Sequence, residues 1–152
     1  MTSHKINELE EKIQQKTLTL VLLSIATAGI YPILWIYRNY SVINDITETK
    51  IVDDVFVIWL AVCVGLGSQL ATSKEEVMVA LGGILYIAGC VLYAVFAFKI
   101  RSTLREYALQ KHKIDLPMNR FYTLIFTVYY INYCINDMKE VERKNTILKS
   151  RT

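Results

Sequence analysis

The chain has 152 residues, 53% of them apolar and 20% charged, with a formal net charge of +3. The charges are segregated: windows 17–37, 55–73, 77–98 and 121–136 contain no Asp, Glu, Lys or Arg. That pattern excludes a soluble globular domain, whose helices show polar residues at a period near 3.6, and so weak a positive balance gives no reason to expect nucleic-acid binding.

Taken in chain order, residues 1–16 predict a cytoplasmic amphipathic helix. Ile6, Leu9 and Ile13 share one stripe, and Glu8 stands four residues before Lys12. Such a helix suits either a membrane interface or partner, or a solvated lead-in to the membrane. Window 17–37 is interrupted at Ala28-Gly29-Ile30-Tyr31-Pro32. Pro32 lacks an amide hydrogen and clashes with the preceding turn, so a kink or break is expected there. Ala26-Thr27-Ala28 resembles a signal-peptidase site, but Glu8, Glu10 and Glu11 cancel the positive charge before it and apolar sequence continues beyond it. No cleavage is expected.

Windows 55–73 and 77–98 are apolar all round and about long enough to cross a hydrocarbon core of roughly 30 Å. They predict two spanning helices joined by a tight turn at 73–76. Helical spacing continues through Ile100, Leu104, Tyr107 and Ala108, so the second helix should run from Val77 to about His112, on the order of 54 Å. Leu116-Pro117 is expected to end it. Its Arg101, Arg105 and Lys111 suit anionic lipid headgroups, or else an acidic partner. The small residues Ala61, Gly65, Gly82 and Gly89 suit close packing of the two helices, with contact between copies as the alternative. Window 121–136 is about 24 Å long as a helix, short for a crossing, and rich in tyrosines that favour the headgroup level. Residues 139–152 read as a cytoplasmic tail.

A repeated phrase and the cation distribution then set the expected topology. Asn39-Tyr40-Ser41-Val42-Ile43-Asn44-Asp45 follows the first window, and Asn132-Tyr133-Cys134-Ile135-Asn136-Asp137 closes the last. Similar elements should sit in similar surroundings. If windows 17–37 and 121–136 dip in and return, every one of the 17 Lys and Arg residues except Lys74 lies on one side. Four full crossings would split them almost evenly, which sets no orientation. The expected architecture is an all-α integral membrane protein: two spanning helices flanked by two re-entrant or interface-embedded helical elements, with both termini cytoplasmic. Four spanning helices are the alternative.

Chemistry is sparse. No charged residue falls in any window, which speaks against a pump or coupled transporter. There is no GxSxG, no catalytic triad pattern and no phosphate-cradling glycine loop. Cys63, Cys90 and Cys134 lack CxxC spacing, and His4 and His112 stand alone, so neither metal nor cofactor is expected. Asn44, Asp45, Asn136 and Asp137 sit where the two flanking elements re-emerge, with helix capping favoured over weak cation ligation. Together with Gly29, Tyr31, Pro32, Trp35, Tyr129 and Asn132 they form the candidate structural or partner-contact set. The expectation is a small non-enzymatic protein that binds a partner (a regulatory subunit, scaffold or immunity-type protein) or a second copy of itself. A small oligomeric channel or permease lined by the re-entrant elements is the alternative.

The stretch Thr27-x-Gly29-Ile30-Tyr31-x-x-x-Trp35-x-Tyr37 resembles the signature of a bacterial membrane family, domain of unknown function 4234. Asn44 matches the polar stretch that follows it, and residues 122–137 resemble the family's second element. That second copy departs from the signature, with Phe126-Thr127-Val128-Tyr129 in place of its core. The resemblance implies a bacterial inner-membrane location. It implies no activity, so no catalytic or binding residue is carried over from it.

Overall fold

The computed structural model describes residues 11–13 and 15–149. The helix expected over 1–16 therefore lies largely outside the described residues, although 11–13 form a helical turn. Five helices follow: α1 (Thr17–Ala26), α2 (Tyr31–Thr47), α3 (Asp54–Leu70), α4 (Glu76–His112) and α5 (Arg120–Lys149).

The break in the first window is a reversal. Ala28 and Gly29 take φ of 50° and 87° in succession, which carries the chain out of α1 and back along it. Thr27 holds the break closed: its hydroxyl donates to the Leu23 carbonyl at 2.8 Å and accepts from the Tyr31 amide at 3.0 Å. Pro32 falls in the first turn of α2, where a missing amide hydrogen leaves no helical bond unmade. The two helices run antiparallel, so Lys16, at the start of α1, and Arg38, two turns into α2, line one cleft.

The last window also reverses, without glycine or proline. Thr127 interrupts α5 with φ 40° and ψ −112°. A straight helix would separate Asn119 from Tyr130 by about 16 Å. Instead the Asn119 amide donates to the Tyr130 hydroxyl at 3.0 Å, and the Tyr122 and Tyr130 rings lie 5.8 Å apart. Residues 120–126 therefore form an outgoing arm and 128–149 a return arm. A β-branched residue at this φ costs on the order of 1–3 kcal/mol. Thr127→Gly is expected to raise stability by about 1 kcal/mol, read as a higher melting temperature in detergent. An unchanged or lower value would mean that the threonine side chain, which faces Tyr93, stabilises more than its backbone costs.

α3 and α4 pack antiparallel along their length. Gly67 meets the backbone of Gly82 and Tyr86, Gly89 meets Val64 and Cys63, and Phe56 stacks on Phe96 at 6.3 Å. Gly82 and Gly89 thus serve the contact as expected. Gly65 does not: it faces open space, and Ala61 is exposed. The expected small-residue pair lies one face away from the true contact, which uses Gly67 instead.

Asp53 caps α3, its carboxylate accepting from the Phe56 amide at 3.2 Å. That bond, opposed by burial and helped by nearby Lys50, holds the carboxyl below its ordinary value. α4 matches the single long helix expected, about 55 Å at 1.5 Å per residue. It ends at His112 with Lys113 in a left-handed cap (φ 53°), ahead of the expected Leu116-Pro117 stop. Pro117 instead belongs to the non-helical return at 113–119.

The core gathers around one half of this framework. Trp35, Ile36 and Ile43 of α2, Phe96, Ile100 and Leu104 of α4, and Val128, Ile131 and Ile135 of α5 are almost completely buried. By contrast Val77, Leu81, Ile84 and Ile87 on the first half of α4 stand 47–70% exposed. α4 is long and apolar enough to cross a membrane over Glu76–Lys111, and α3 is a shorter apolar helix.

Candidate functional site

The two reversals meet. Gly29, Pro32 and Ile33 from the first element and Tyr129 from the second line an open cavity of about 220 Å³ against α3 and α4. The far wall is Val64, Tyr86, Gly89, Cys90 and Tyr93. Gly89 lets α3 come close at this height: a Cβ there would stand 2.8 Å from Val64 Cγ2. The cavity has an apolar lining edged by three tyrosines, with no ionisable carboxylate, lysine or histidine among the lining residues. Such a space can accept an apolar or phenolic group or a few waters, and it contains nothing to shuttle protons near neutral pH.

Some of the candidate residues line this cavity and the others lie at separate places in the fold. Gly29, Pro32 and Tyr129 line the cavity. Tyr31 turns away from it, its hydroxyl accepting from Gln15 Nε2 at 2.8 Å. Trp35 is 1% exposed and belongs to the core.

The asparagines of the repeated phrase act as pins, each in its own way. Asn44 clasps the loop after α2, accepting from the Ile51 amide at 2.9 Å and donating to the Val52 carbonyl at 2.8 Å. Asn132 and Asn136, one turn apart, both donate to the Gln15 carbonyl, at 2.8 and 3.1 Å. Asn132 also donates to Thr17 Oγ1 at 3.1 Å. The second element therefore anchors the first at the start of α1. Asp45 is exposed and Asp137 half-buried, and neither enters these clasps.

Sequence reasoning missed the α4 wall. Tyr86 and Tyr93, seven residues apart and in register with Gly82 and Gly89, carried the available signal. It also read Arg101 only as a surface cation. Arg101 is 8% exposed, and its Nε and Nη2 both donate to the Met118 carbonyl, at 3.0 and 2.6 Å.

With this geometry in view, a family described as Domain of unknown function (DUF4234) matches residues 15–106. The chain belongs to the DUF4234 family. The matched stretch covers α1, α2, α3 and most of α4, and it stops before α5. The signature residues of this DUF4234 chain now have physical roles. Thr27 staples the break, Gly29 supplies its positive φ, Tyr31 ties α2 to Gln15, and Trp35 fills the core beneath. No curated protein and no solved structure matches the chain.

Proposed function

We propose that this DUF4234 protein is a non-enzymatic, multi-pass protein of the bacterial inner membrane that acts by binding a protein partner at its cytoplasmic end. In this reading α3 and α4 cross the bilayer, the two reversing elements enter and return on the cytoplasmic side, and both termini are cytoplasmic. The observation that carries it is the meeting of both reversals against Gly89 and Tyr93, about 20 Å short of the far end of α4. Non-helical backbone at membrane depth must be covered by protein or line a cavity: Gly29 at the first break lines the cavity and Thr127 at the second is half-buried beside Tyr93, while Ala28 and Ile30 stay exposed. The outer half of α4 shows apolar side chains, as lipid contact requires, and Lys74 is the cation at that end. At the opposite end the exposed apolar Leu109 lies two residues from Lys111, which pairs with Glu48, a polar surface with an apolar anchor.

Single cysteines introduced into a cysteine-free variant test the topology. K74C should react with an impermeant maleimide in intact cells, whereas K16C, D45C, D115C and K139C should react only after permeabilisation. Reaction of K16C or K139C from the same side as K74C overturns the re-entrant arrangement. Purification from mild detergent should then bring down a second protein in near-stoichiometric amount. A chain that is consistently recovered alone counts against partner binding.

The cavity itself supports a second reading, a small oligomeric channel lined by the reversing elements. That reading expects solute flux in liposomes that changes with Tyr93→Phe or Tyr129→Phe. Liposomes with no flux above protein-free controls reject it.

A further inference from the structure

A second cleft, opening on the outer side of the α1–α2 pair, has the opposite chemistry to the tyrosine-edged cavity. Its volume is about 520 Å³, and three cations line it: Lys12, Lys16 and Arg38. Gln15, Thr19 and Tyr31 add polar groups, and no carboxylate is among the lining residues. We infer that this cleft binds the phosphate oxyanion of an anionic ligand.

Three features support the assignment. Lys16 and Arg38 approach from different helices, so an oxyanion between them would be held from two sides at once. Gln15 Nε2 donates to the Tyr31 oxygen, which leaves the tyrosine's own hydrogen to donate into the cleft. α1 also begins here without a side-chain cap, so its first amides and the positive end of its dipole add to the field.

The neighbouring cation cleft makes a contrast. It is lined by Lys50 and Lys99 but also by Asp53, whose carboxylate stands 3.5 Å from Lys50 Nζ. Its charge is partly cancelled within the protein. Lys16 and Arg38 have no such carboxylate among the described lining residues of the α1–α2 cleft.

The source of the phosphate is either a lipid headgroup or a soluble phosphate compound; the exposed Leu18, Leu22 and Ile25 lie on another face of α1, roughly a third of a turn from the face that carries Lys16, Thr19 and Leu23. The inference is separate from partner binding, and either can fail without the other.

Native mass spectrometry of the full-length protein released from detergent tests it with three probes: phosphatidylglycerol, phosphatidylcholine and inorganic phosphate. Retained phosphatidylglycerol should exceed phosphatidylcholine, and the paired substitution K16Q with R38Q should weaken it on the order of tenfold. Thr19→Glu, which places a carboxylate in the cleft, should do the same with both cations intact. The pair K50Q with K99Q should leave it unchanged, and unaltered far-ultraviolet circular dichroism confirms that each variant is folded. Inorganic phosphate displacing the lipid at millimolar concentration would assign the cleft to soluble phosphate compounds as well. Lipid alone being retained assigns it to headgroups. Phosphatidylglycerol retention that ignores both K16Q with R38Q and Thr19→Glu, with no phosphate binding, overturns the inference.

Discussion

Replacing Gly82 with valine is expected to destabilise the protein by at least about 3 kcal/mol, or to prevent its recovery in folded form. A Cβ at this position would stand 2.4 Å from the Ala71 amide nitrogen and 2.9 Å from the Gly67 carbonyl oxygen. Both obstacles are backbone, so no rotamer change relieves them, and α3 must move away from α4 at the turn that joins them. Gly67→Val should behave alike, because its Cβ would meet the Tyr86 amide nitrogen at 2.7 Å. Gly65 and Gly83 form the matched controls. A Cβ at either meets nothing within 4 Å, and alanine there should be neutral or stabilising by up to about 1 kcal/mol through helix propensity. Thermal unfolding in detergent, followed by loss of the monodisperse peak on size exclusion, reads the series. Equal sensitivity at Gly65 and Gly67 would contradict the observed helix contact.

The second large effect is expected at Arg101. Arg101→Ala should cost about 2–3 kcal/mol, the range for hydrogen bonds made by a charged group. It removes two donors from the Met118 carbonyl and frees the 113–119 return that sets α5 in place. Arg101→Lys should recover only part of the loss, since an ammonium cannot present the Nε and Nη2 fork to one oxygen. Limited proteolysis between Lys113 and Asn119 is the direct readout. Wild-type protection in Arg101→Ala would mean that Ile114, Leu116 and Met118, each about 3% exposed, hold the return without it.

Several features were legible because local chemistry decides them. Pro32 beside Gly29 marks a break whatever the fold, and unbroken helical spacing from Val77 to His112 fixes one long helix. The break at Thr127 was not legible. Phe126-Thr127-Val128 contains no residue that prefers positive φ; the shortness of the window, the repeated phrase and the cation distribution pointed to a return but not to where the chain turns. Glycine spacing likewise could not choose between Gly65 and Gly67, since either lies on a face of an all-apolar helix. The repeated asparagines were visible as a pair, but their roles differ. Asn44 closes its own loop, while Asn132 and Asn136 reach back to Gln15 across more than 110 residues of chain.

By itself, then, the sequence determined the helical content, the family, the long apolar helix and the place of the first break. These depend on residues near one another along the chain, where sterics and hydrogen bonding act directly. The tertiary structure decided that the two breaks share one cavity, that Arg101 is buried, and that Lys16 and Arg38 face one cleft. Those are matters of which helix faces meet. An element that is apolar on every side leaves that choice to packing, here to the three close glycine contacts between α3 and α4 and to the asparagine clasps at the start of α1.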